Sequence, residues 1–171
     1  MVAIAVLAIM VAMAVPSFTA LINGNRLTGQ ANELIAALQV ARSEAVRRNA
    51  RVAVCASSDG SNCDTAVEDW PYWLVRLVST SEVLRVHRVD ARVQVLPSAR
   101  ISDNDNQIVF SADGLARDAS GALLAAAIGV CMATDSPQQN QRRVGIAAGS
   151  RINTTAEDTD ASCNVPDDED E

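Results

Sequence analysis

The first charged side chain in this chain is Arg26, and the residues before it read MVAIAVLAIMVAMAVPSFTALIN. From Met1 to Ile22 the run is apolar almost without a break. Twenty-two helical residues rise about 33 Å, enough to cross the hydrocarbon layer of a bilayer. A cleaved secretory leader fits less well. No basic residue precedes the run, and it exceeds the roughly 7–15 apolar residues that such leaders carry. Residues 1–22 therefore predict a single-pass membrane helix. Pro16 lies within it, and its missing N–H and its ring predict a bend there.

The helical pattern does not stop at Arg26. Apolar residues recur at Leu27, Ala31, Leu34, Ile35, Leu38, Ala41, Ala45 and Val46. Steps of three and four mark one face of an amphipathic helix over residues 23–49. Arg26, Gln30, Glu33, Arg42, Arg47 and Arg48 fall off that stripe. A helix that is apolar all round and then apolar on one side leads from a lipid-like environment onto a folded domain. Glu44 lies within reach of Arg47 and Arg48, which predicts ion pairs on the helix surface or a contact with a neighbouring subunit.

Beyond Asn49 the spacing changes. RVAVCAS, YWLVRLV, EVLRVHRV, RVQVLP, NQIVF, LLAAAIGVCM and RRVGIAA are short β-rich runs separated by turn signals such as SSDGSN, SDNDN, SADG and DSPQQN. The expected class is α+β: a long N-terminal helix packed on an antiparallel β-rich domain over residues 50–155. Aromatic residues make up only 3% of the chain, so aliphatic side chains must fill the core. Trp73 shares its parity with Val75 and Leu77 and is expected in that core. Trp70 is then expected near the surface, because residues three apart in a strand face opposite sides.

Charge excludes some functions. From Glu157 the chain carries eight of its twenty-one acidic residues and no base, leaving fourteen arginines against thirteen acids in the body. A near-neutral body is neither a basic nucleic-acid module nor an acidic solvating one. Residues 156–171 read as a solvated acidic tail.

Four cysteines, Cys55, Cys63, Cys131 and Cys163, form no C-x-x-C, and His87 is the sole histidine, so a zinc site of ordinary spacing is not expected. In an exported chain two disulfides are the economical arrangement. Of the three possible pairings, Cys55–Cys63 around a tight turn and Cys131–Cys163 are favoured. Catalytic chemistry finds no constellation to work with. His87 sits on a strand and is expected at its surface. Asp113 and Asp118 belong to a turn rather than to a carboxylate pair. Asp103–Gln107 has oxygen donors but lacks the twelve-residue loop and closing glutamate of a calcium site. No cofactor or metal is expected.

Several stretches together resemble the FimT/GspH group of minor pilins and pseudopilins. AVPSF (Ala14–Phe18) closes the apolar segment, ANELIAALQVARSEAVRR leads into the strand with Cys55 and then SSDG, WPYWLVRLV and IVFSADG follow, and RRVGIAAGSRI is similar to a terminal hairpin. Tyr72 stands where that group usually has glycine. The resemblance implies an inner-membrane anchor that becomes the packed core of a filament, with the globular domain in the bacterial periplasm. It implies other pilins or pseudopilins as partners through the N-terminal helix, and makes Pro16 the filament bend. It also implies an enzyme-free role in assembling a type IV pilus or a type II secretion pseudopilus.

The group's processing motif, G-F-T-L-I-E, does not precede the apolar run. Either the start codon lies upstream of Met1, which is the favoured expectation and brings in prepilin peptidase and N-terminal methylation, or the gene is truncated. Some members are thought to bind DNA through G-R-x-R near the C-terminus. Here the corresponding stretch is Ser150-Arg151-Ile152-Asn153, so Arg151 alone remains, with Arg142 and Arg143 as neighbouring charge. A DNA-binding minor pilin is the alternative reading, opposed by the acidic tail that follows within a Debye length.

Overall fold

The structure, a computed structural model, describes residues 2–169, with side chains from Phe18 onward. Helix α1 runs over Val2–Arg48 as one element, 47 residues and therefore about 70 Å of rise. Among the described residues no helix is long and apolar enough to cross a membrane. Most of the run expected to span one, together with Pro16, lies outside the residues whose side chains are described. α1 ends where Asn49 turns to φ 49°, a left-handed conformation that asparagine tolerates, and Ala50 N–H closes back on Ala45 O at 3.2 Å.

The stripe on α1 packs as its spacing predicts over most of its length. Leu27, Ala31, Leu34, Leu38, Ala41 and Ala45 are buried. Val46 is the exception. It is 54% exposed, because the next position round from Ala45 already faces away from the sheets.

Two antiparallel sheets receive this face. The first has strands β1 (Val52–Ser57), β2 (Tyr72–Leu77), β3 (Val83–Arg88), β5 (Gln107–Phe110) and β6 (Ala116–Arg117), in the order β3-β2-β1-β5-β6. The second has β4 (Gln94–Pro97), β7 (Ala126–Cys131), β8 (Gln141–Ala147) and β9 (Arg151–Glu157), in the order β4-β7-β8-β9. A one-turn helix, α2 (Ala99–Ser102), bridges them by packing on β4, β5 and β7.

Registers place Val52, Val54 and Ala56 of β1 beside Leu77, Val75 and Trp73 of β2 and, for the first two, Phe110 and Ile108 of β5. Ile128 and Val130 of β7 sit opposite Val144 and Arg142 of β8. These inward rows and the α1 stripe form one core. Gly114, at φ +78°, turns the chain against the top of α1, where an added Cβ would meet Val46 and Arg42.

Trp73 is buried as expected, but Trp70 is buried too. Trp70 precedes β2 rather than belonging to it, so strand parity does not govern it. Its backbone N–H donates to Val95 O at 3.0 Å, and the ring lies in the core. The acidic tail also departs from expectation. β9 takes in Ala156 and Glu157, so the β domain ends at 157 rather than 155. Residues 158–169 fold back over the outer face of the second sheet. Asn140 holds them there: its amide donates to Ser162 O, and its oxygen accepts from Thr159 N and Oγ1.

Candidate assembly surface

N-terminal to Arg26 the helix loses its sheet-facing asymmetry. Phe18, Leu21 and Ile22 are each more than half exposed, and their i, i+3, i+4 spacing puts them on one stripe of α1. Three exposed large apolar side chains in adjacent turns need a partner outside the domain.

The globular part grips α1 from both flanks just C-terminal to this stripe. On one flank Arg26 pairs with Asp90 at 3.0 Å, and Gln30 Oε1 lies 3.2 Å from His87 Nε2. On the other, Asn23 donates to Ser136 O at 2.7 Å and Arg142 Nε reaches Thr28 Oγ1 at 3.4 Å. Arg42 donates to Ser150 O higher up. No local pattern signals these contacts, because each joins residues more than fifty positions apart.

At the top of α1, Glu44 accepts from Arg47 at 2.5 and 3.1 Å and from Arg48 at 2.7 Å. The Arg47 hydrogen bond, then that of Arg48, holds its carboxyl down to a pKa of about 2. Arg48 continues to Glu82 at 3.4 Å, so the cluster ties the helix end to the start of β3. The surface ion pairs expected of this stretch are formed, and Arg47 is largely exposed.

His87 is not a free surface group. Its ring lies on Trp73, and burial pushes its pKa below the ordinary value of 6.5, with Glu33 acting in the opposite sense. Glu33, Arg85 and Val86 line a shallow pocket of about 290 Å³ beside it. Asp113 pairs with Arg117 at 2.9 Å within its turn. Asp118 accepts from Ser120 and Ala122 within its own. Among the described residues no group of three or more His, Cys, Asp or Glu side chains could hold a metal ion.

The cysteines pair Cys55 with Cys63 and Cys131 with Cys163. The second bond ties the tail to β7. Beyond it Pro166 lies over Gly129, and Asp168 accepts from the Arg100 backbone N–H at 3.2 Å. Glu169 is hydrogen-bonded to Arg143.

The three arginines considered for phosphate contact do not converge. Arg142 and Arg143 are consecutive in β8 and point to opposite faces. Arg142 turns toward α1, where burial lowers its pKa. Arg143 lies beneath the tail and donates to the carbonyls of Asp167 and Asp168 as well as to Glu169. Arg151 shares the face of Arg143, but its register partner is Ala147, four residues and about 13 Å along β8. A cysteine inside the tail was the one sequence signal that this segment is tied down.

Comparison with solved structures finds the same fold. The minor pilin FimU of Pseudomonas aeruginosa strain PAO1 matches in two crystal forms. One superposes with a TM-score of 0.53 at 19% identity over 80% of this chain and 96% of that one. The other gives 0.55 at 21% over 82% and 93%. The minor pseudopilin EpsH of the Vibrio cholerae type 2 secretion system gives 0.52 at 10% over 77% and 97%. A search of curated proteins finds no match. The family model described as type II transport protein GspH matches residues 30–150, which take in most of the amphipathic half of α1 and every strand except β9. The chain belongs to the GspH family of minor pilins and pseudopilins.

Proposed function

We propose that this protein is a minor subunit of a type II secretion pseudopilus or type IV pilus, acting in filament assembly. The apolar first half of α1 anchors it in the bacterial inner membrane and then packs among the same helices of neighbouring subunits. The β domain stands in the periplasm. One helix serves both states because lipid and a bundle of apolar helices are alike as surroundings.

The observation that carries this reading is the stripe Phe18, Leu21 and Ile22, exposed on α1 where the domain no longer covers it. The stripe follows directly on the apolar run of the sequence, Met1 to Ile22, and reaches the first covered turn of α1. The partners are other pilins or pseudopilins, and the chemistry is association rather than catalysis.

The test is complementation of a strain lacking this gene, with pili and secreted protein both measured. Phe18→Arg and Leu21→Arg together should abolish assembly while the protein still accumulates in the membrane fraction. Recovery of secretion only, or of pili only, assigns the machine. Full assembly by the double variant defeats the proposal.

A further inference from the structure

We propose that the outer face of the first sheet, where β2 meets β3, docks an extended segment of a different filament subunit, one that presents an acidic, an apolar and an acidic side chain at alternate positions. This rests on the filament reading and adds to it a contact made by the β domain.

Strand parity sorts the side chains. Trp73 and Val75 of β2 belong to the core, so Tyr72, Leu74 and Arg76 point the other way. Register sets Arg88 beside Tyr72, Val86 beside Leu74 and Val83 beside Arg76. The register shift after Val75 is what brings two valines three positions apart onto one face. Val83 and Val86 are 37% and 52% exposed, whereas Leu74 is buried. The open surface therefore carries two valines between two arginines, Arg88 and Arg76.

Among the described residues neither arginine has a carboxylate partner. Arg76 has its Nε buried and bonded to nothing. Arg88 sits 6.0 Å from the centre of the Tyr72 ring. The carboxylates that border Arg88 are engaged elsewhere, Asp90 by Arg26 at 3.0 Å and Asp69 by the Val95 N–H at 2.8 Å. Glu82, which leads into β3, is held by Arg48. Guanidinium groups already laid against a surface lose little freedom on meeting a carboxylate, and they offer it a planar pair of donors.

Spacing sets what fits. Arg88 stands level with Tyr72, four residues from Arg76 along β2 and therefore about 13 Å away. In an extended chain residues i and i+4 share a face and span that same distance, with i+2 between them. Acids at i and i+4 meet the two arginines while an apolar i+2 lies on the valines. A second copy of this chain does not fit, because the same face would set arginine against arginine. The acidic tail is not free to fill the place, since the Cys131–Cys163 bond, Arg143 and the Arg100 N–H hold it on the second sheet. A lipid surface is out of reach. Glu82 meets Arg48, 26 residues along α1 from Ile22, which is about 39 Å of rise from the apolar run. A nucleic-acid backbone offers phosphates to the arginines and nothing apolar to the valines between them.

The experiment uses the full-length protein in membranes of cells that make the whole filament, with a photo-crosslinking residue at Val86. The expected product links this chain to a peptide of another filament subunit in which two acidic residues, four positions apart, flank an apolar one. Arg76→Glu with Arg88→Glu should lower its yield about tenfold, the size of two exposed ion pairs lost and made repulsive. Arg88→Glu alone should lower it about threefold. Replacing both acids of the captured segment by arginine should restore the yield with the double variant. A crosslinker at Phe18 runs in parallel and reports whether each variant still folds and assembles. Where the double variant loses the Phe18 link as well, Arg88→Glu, an exposed change, decides. If Phe18 links subunits and Val86 links nothing, the docking face is wrong and helix-driven assembly stands. If neither links, both fail. A Val86 link to another copy of this chain, to a segment without the two acids, or one removed by nuclease overturns the docking, as does a yield that the arginine variants leave unchanged.

Discussion

The ring of His87 lies nearly flat on that of Trp73, with centroids 4.2 Å apart and 15° between the planes. Trp73 is a core residue of β2, so the stack ties the edge strand β3 to the core and not only to its neighbour strand. The imidazole is held closer to neutral than in water, because burial lowers its pKa.

That shift has a sign. The unfolded chain takes up its proton at the higher pKa, so protonation favours unfolding. Stability from His87 is complete above the ordinary value of 6.5 and declines as pH falls through the lower folded value. Glu33 on α1 and Arg85 on β3 also border the ring, and Glu33 moderates the loss. Urea midpoints should fall between pH 7.5 and pH 5, and His87→Phe should flatten that step. An unchanged step in the variant would assign it to carboxylates instead.

Leu38 and Val46 both belong to the stripe read from the sequence, but only Leu38 is covered. Leu38→Ala should cost about 2–5 kcal/mol as a core truncation. Val46→Ala should stay within about 0.5 kcal/mol, as a surface change does. Chemical denaturation of the two variants checks the phase of α1.

The two disulfides close loops of different length, 8 and 32 residues apart in sequence. On chain entropy, replacing Cys131 and Cys163 by serine should cost about 3–4 kcal/mol, against about 2–3 kcal/mol for Cys55 and Cys63. Thermal unfolding of the paired variants gives the order directly. Replacing Cys131 and Cys163 should also speed hydrogen exchange in residues 158–169.

Arg143 holds the tail through Glu169 and two main-chain carbonyls. Arg143→Ala should release residues 165–169 to protease and cost about 1–2 kcal/mol, since the group is charged but partly exposed. A tail that stays protected would place its anchorage in Asn140 and the disulfide alone.

Glu44 should titrate near pH 2 by carbon-detected NMR. Arg47→Ala combined with Arg48→Ala should return it toward 4.5, because hydrogen bonds from those two guanidinium groups cause the shift. Any stabilisation it supplies is present above 4.5 and lost as pH falls through about 2.

The amphipathic half of α1, seven of the nine strands and the disposition of Trp73 were legible in the sequence, because apolar periods of 3.6 and 2 report which side of a local element is covered. Resemblance added the terminal hairpin, which the structure extends to Glu157. What periodicity cannot report is which distant segment does the covering. Trp70 is buried by a bond to Val95 outside any strand pattern, and Val46 is exposed because it lies one position round the helix from the covered Ala45. Arg142 and Arg143, adjacent in sequence, are parted to opposite faces by the pleat. The acidic tail looked solvated on composition, yet Asn140, the Cys131–Cys163 bond and Arg143 hold it against the second sheet. Local spacing decided the elements of this protein; long-range hydrogen bonds and charge pairs, formed only once the sheets close on the helix, decided which surfaces remain free.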